Sequence, residues 1–203
     1  MMKLSKVKSQ KSKVNQGFTF VELIVVIAIF SIMAGIVIFN ARDFGDSIAL
    51  QNLAQDIALQ LKKAQNDGSS GRFNIGFTGY PMSKISYGLQ FNTTEYTQFS
   101  YFADLDNDGT LRSNNFCGTG GYECIKIFSI PNGDKISNLC VNQGSSCGLS
   151  SVDITFTRPN LNATIVTNPI SSRIIADAEI EIKSPKGKTK TIVIWPTGQI
   201  SIK

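Results

Sequence analysis

The sequence predicts an α+β fold: one long N-terminal helix, a membrane half followed by an amphipathic half, packed on a mostly antiparallel β-sheet head. Three observations carry this. Residues 18–39 form an apolar run in which Glu22 is the only charge. An apolar stripe of helical period follows, through Leu50, Leu53, Ile57, Leu61 and Ala64. After Arg72 the pattern changes to short β-rich runs of period two, separated by turn residues.

The chain opens on a basic segment. Lys3, Lys6, Lys8, Lys11 and Lys13 precede Gly17, and all 15 acidic residues follow it. The whole net charge of +5 therefore belongs to the leader, and the remaining chain is neutral. A basic leader ahead of an apolar span places the N-terminus in the cytoplasm and everything beyond residue 39 outside it. The twenty-two residues of the span reach about 33 Å as a helix, against a hydrocarbon core of about 30 Å. That length exceeds the apolar region of a secretory signal, and no A-x-A-like cleavage site follows it. A carboxylate inside such a span costs about 2.5–3.5 kcal/mol on insertion scales, so Glu22 demands a partner that the span itself does not hold.

Gly17, the "FTFVEL" after it and the apolar run together resemble the leader of the type IV prepilins. The resemblance implies that prepilin peptidase cuts between Gly17 and Phe18 and that Phe18 becomes the N-methylated first residue. It further implies that Glu22 pairs with the Phe18 ammonium of a neighbouring subunit when the helices assemble. Pairing recovers much of the cost of burying either charge. The organisation that follows is a leader over residues 1–17, a membrane and assembly helix over 18–39, an amphipathic continuation over 40–66 and a β-rich head over 67–203. "NDGSSG" at 66–71 supplies the turn residues that end the helix. Gly35 and Gly45 are its weak points, and Gly35 is the place where the resemblance implies unwinding in a filament.

The head reads as strands at "FNIGF", "ISYGLQF", "YTQFSYFA", "IKIFSI", "KISNLCV", "VDITFTR", "ATIVT", "IIADAEIEIK", "TKTIVIW" and "QISIK". This is similar in architecture to minor pilins and to the smaller pseudopilins of type II secretion, in which a helix packs on one or two sheets. Four cysteines, Cys117, Cys124, Cys140 and Cys147, all fall in the exported part, where an even count favours disulfides. Turn-rich spacers make two local bridges easy. The nested alternative, 117–147 with 124–140, stays open if "PNG" at 131–133 closes a hairpin.

Two further groups stand out. "DLDNDGTLRSNN" places Asp104, Asp106, Asp108 and Gly109 at positions 1, 3, 5 and 6 of an EF-hand-like loop, making Ca²⁺ the candidate cofactor. Asn115 stands where the closing Glu belongs, so half a cage is present; the other reading is an Asp/Asn/Gly turn. Lys183, Lys186, Lys188 and Lys190 gather on an expected hairpin. They are candidate contacts for a polyanion such as nucleic acid, but no stacking aromatics accompany them, and a solvated tip is the usual meaning of such a run.

The absence of histidine removes His-based nucleophilic and acid–base chemistry, and no enzyme is expected. The function expected is a structural subunit of a type IV pilus or a type II secretion-like pseudopilus, inserted in the cytoplasmic membrane with its head outside. The alternative is a minor or tip subunit whose head binds DNA, surfaces or other cells. The partners expected are other pilin or pseudopilin subunits, prepilin peptidase and an inner-membrane assembly platform.

Overall fold

The computed structural model describes residues 17–70, 85–112, 117, 123–159, 161–169 and 174–203. The leader ahead of Gly17, the strand expected at 73–77 and Asn115 lie outside these residues. The chain divides into two units, Met1–Asp43 and Phe44–Lys203, and helix α1, Phe20–Ser70, contributes to both.

In the first unit, Thr19 opens α1: its hydroxyl accepts the Glu22 amide at 3.3 Å, and its carbonyl accepts the Leu23 amide at 3.2 Å. This is the N-cap arrangement, and Glu22 at the third helical position lies where the helix dipole favours a negative charge. The segment Phe20–Ile38 has a mean hydropathy of 2.8, is nowhere buried and is long and apolar enough to cross a membrane. The helix continues through Gly35 and Gly45.

Among the described residues, the second unit holds the rest of α1 and ten strands. They are β1 Ser86–Asn92, β2 Gln98–Asp104, β3 Cys124–Ser129, β4 Lys135–Val141, β5 Ser146–Cys147, β6 Ser151–Phe156, β7 Ala163–Asn168, β8 Ala178–Lys183, β9 Thr189–Ile194 and β10 Ile200–Ile202. They form two antiparallel five-stranded sheets, ordered β3-β2-β1-β6-β7 and β10-β9-β8-β4-β5. Alternation decides the faces. Tyr87, Leu89 and Phe91 of β1 and Val152, Ile154 and Phe156 of β6 face one core, which they share with Ile180, Ile182, Ile192 and Ile194 of the second sheet. The α1 stripe of Leu50, Leu53, Ile57, Leu61 and Ala64 enters the same core, with Ile57, Leu61 and Ala64 at 0% exposure. Burying each of the larger aliphatic side chains contributes about 1.5–3 kcal/mol.

One expectation is corrected. The turn residues at 66–71 do not end the helix at 66; it runs to Ser70. Asp67 accepts a buried hydrogen bond of 2.6 Å from the Tyr101 hydroxyl, and Gly68 lies so close to the Phe156 backbone that a Cβ would collide with it. Arg158 donates to the Ser70 carbonyl at 3.2 Å, supplying the positive charge that the last turn lacks. Tertiary contacts thus hold a poor helix sequence helical. The structure also decides the alternative left open at "PNG": Asn132 and Gly133 take positive φ and close a turn, with the Asp134 amide on the Pro131 carbonyl at 3.2 Å. The turn carries the chain from one sheet to the other, so β3 and β4 are not a hairpin.

With those strands apart, the cysteines pair locally as Cys117–Cys124 and Cys140–Cys147. The second bridge joins directly opposed residues of β4 and β5, a two-residue strand that the sequence reading did not include.

Candidate functional site

Around the N-terminus of α1, the residues singled out for processing and assembly are all accessible. Gly17 and Glu22 are exposed, and Phe18 is 83% exposed. Beyond them Leu23, Ile24, Ile27, Phe30, Ile32 and Ile36 are exposed in succession around the helix. A helix apolar on every side needs lipid or other helices around it. Thr19 is the residue that sequence reading missed, although the T-x-x-E spacing from Thr19 to Glu22 is a capping-box signature.

A second site lies on the outer face of the first sheet, opposite the core. Here residues 105–112, after β2, fold back over β1, β6 and β7. Leu111 donates its amide to Asp153 at 3.2 Å and accepts from the Gln90 amide at 3.3 Å. Phe102, Leu111 and Cys124 make a small apolar cluster beneath it. Gly109, at φ +79, passes close to the Val166 side chain, and its amide donates to Asp104 Oδ2 at 3.0 Å.

The loop brings its acids together. Carboxylate oxygens of Asp104, Asp106 and Asp108 lie within 4.8 Å of one another. Glu123, at the foot of β3, straps the loop at both ends, accepting the Leu105 amide at 3.3 Å and the Arg112 amide at 3.0 Å. Arg112 turns its guanidinium onto Asp106 and onto Asp108. Burial raises Asp104 to about 6, helped by Glu123 and Asp108 and opposed by the Gly109 and Asn107 amides. Burial likewise lifts Glu123 above the usual carboxylate range. Asp153 is pushed to about 7, again by burial first, with Asp108 and Glu123 adding to it and the Leu111 and Gln90 donors resisting. In Asp108, hydrogen bonds from Thr110 and Arg112 outweigh burial and lower the carboxyl.

The structure therefore collects the three aspartates of the sequence motif and adds Glu123 and Asp153. Neither addition was legible, because no local spacing links β3 or β6 to an aspartate loop. Register does so: Gln90 faces Asp153 across β1 and β6 and donates to it at 2.8 Å.

The four lysines do not share one environment. Lys186 forms an ion pair with Asp46 at 2.8 Å, and Lys188 donates to the Ser47 hydroxyl at 2.6 Å, which fastens the β8–β9 connection to α1. Lys183 and Lys190 lie on β8 and β9.

Comparison with known proteins bears on the first site. The family model of the prokaryotic N-terminal methylation motif matches residues 12–38. This chain carries the class III leader of type IV pilins and pseudopilins. That motif implies processing by prepilin peptidase and assembly with other pilin subunits, and the helix-and-sheet architecture is the α+β, pilin-like one expected. No curated protein and no solved structure matches the chain.

Proposed function

We propose that the protein is a structural subunit of a type IV pilus or of a type II secretion-like pseudopilus, anchored in the cytoplasmic membrane until its N-terminal helix enters a filament. The observation that carries this is the methylation motif at 12–38 laid over a helix whose apolar surface is exposed throughout. Lipid satisfies such a surface before assembly, and neighbouring helices satisfy it afterwards. Glu22 acts as the register pin. Once the leader is removed at Gly17, the Phe18 amine of one subunit meets the Glu22 carboxylate of the next. In a water-poor helix bundle, leaving either charge alone costs about 3–5 kcal/mol.

The test is Glu22→Ala beside Ile27→Ala in cells carrying the partner subunits. The Thr19–Glu22 cap uses the Glu22 backbone amide, so it survives the substitution and the start of the helix is preserved. Leader removal and membrane insertion are expected to persist, while recovery of the Glu22 variant in sheared filaments falls at least tenfold and Ile27→Ala assembles normally. Normal incorporation of the Glu22 variant overturns the pairing.

A further inference from the structure

We propose that the loop at 104–112, strapped by Glu123, is a calcium site on the outer face of the first sheet. This does not depend on the filament reading, since the loop belongs to the second unit alone. Calcium takes six to eight oxygens at about 2.3–2.6 Å, so ligands on opposite sides of the ion stand up to about 4.6–5.2 Å apart. The carboxylate oxygens of Asp104, Asp106 and Asp108, within 4.8 Å of one another, already span that distance.

Independently of the cluster, one oxygen is waiting for a ligand. Asp104 is 2% exposed, and while its Oδ2 accepts the Gly109 amide, its Oδ1 is buried with no hydrogen-bond partner among the described residues. An orphaned carboxylate oxygen costs more than an unmade neutral hydrogen bond, and a cation is the group that satisfies it without a donor. The chemistry of the set, all hard oxygen with no histidine or thiolate among its members, suits calcium, magnesium or manganese and disfavours softer metals such as zinc and copper.

Glu123 is no member of that cluster; it braces the loop from another strand. Because both of its oxygens hold loop amides, the two ends of the loop stay drawn together around the aspartates. Arg112 stands in for the ion. Its side chain is 68% exposed while it engages Asp106 and Asp108. A guanidinium so exposed is held only weakly and swings into solvent when a divalent cation arrives.

The experiment uses the full chain in detergent micelles, stripped with EDTA and titrated with CaCl₂ by calorimetry and thermal melting. Binding is expected at about 10⁻⁴–10⁻³ M, the range of extracellular modules, with a saturating rise in melting temperature. Asp104→Asn should abolish both signals. Because that side chain is buried, Asp106→Asn/Asp108→Asn serves as the second variant; both side chains are partly exposed, so the fold tolerates the change while binding is lost. Arg112→Gln should tighten binding severalfold by removing the competing cation. The proposal is overturned by no calcium response in the parent chain, or by an undiminished response in the double variant. It is equally overturned by the same shift from KCl at matched ionic strength, an equal response to MgCl₂, or weaker binding in Arg112→Gln.

Discussion

Asp153 shows what a single buried acid does to this head. Burial and the neighbouring Asp108 and Glu123 raise it to about 7, although Leu111 and Gln90 donate to it. A carboxyl raised in the folded state binds its proton more tightly there than in the unfolded chain. Its stabilising effect is complete below the unfolded value of about 3.9 and is lost as pH climbs through about 7. In EDTA, the melting temperature should therefore decline between pH 5 and pH 8. Each kcal/mol lost corresponds to about 2–4 °C for a domain of this size. Asp153→Asn keeps an acceptor for Leu111 but does not titrate, so its melting temperature should fall less over that window; an identical decline would mean that other groups set the dependence. Thr19 and Glu22 make a different point at the same scale. Glu22 was legible as a charge out of place, and it falls inside the methylation motif matched at residues 12–38. Its position three residues after Thr19 also starts the helix, a role that the oddity of the charge obscures.

Among the elements, α1 was the most legible and its end the least. The stripe from Leu50 to Ala64 follows helical period, so its buried face was readable. Beyond it, Asp67 and Gly68 look like a stop but are held by Tyr101 and the Phe156 backbone, partners far away in sequence. Gln65 shows the same dependence at the other end of the chain. Its amide nitrogen donates to the Leu161 carbonyl at 2.8 Å and to the Gly198 carbonyl at 3.2 Å, tying α1 to the turn before β10. Gly198 sits at φ +81 against the Leu161 carbonyl, where no side chain fits. The β4–β5 element depends on a covalent tie instead. A two-residue strand has little pairing of its own, and the Cys140–Cys147 bridge joins its opposed residues. Cys140→Ser/Cys147→Ser should cost about 2–3 kcal/mol, the closure entropy of so short a loop, read as a lower denaturant midpoint. An unshifted midpoint would show that the hydrogen bonds of β4 with β8 hold the region by themselves.

For the whole molecule, the main core of the head is an apolar body drawn from one helix and two sheets. Ile57 lies in it at 0% exposure. Ile57→Ala should cost about 2–5 kcal/mol by lost transfer energy and the cavity left behind, lowering the melting temperature of the head while leader removal proceeds as before. A loss below about 0.5 kcal/mol would mean that the helix face is not integral to the core. The sequence alone determined the leader, the apolar span, the amphipathic stripe, nearly all the strands and the local turn chemistry. Each is written in neighbouring residues, as a charge block, a period of 3.6 or a period of two. Tertiary structure alone decided how the strands divide between two sheets, that "PNG" crosses between them, where α1 stops, and that Glu123 and Asp153 join the aspartate loop. The physical reason is common to all four. They depend on which strands share hydrogen bonds and which faces share a core, and those pairings minimise the free energy of the assembled head over residues that no local spacing connects.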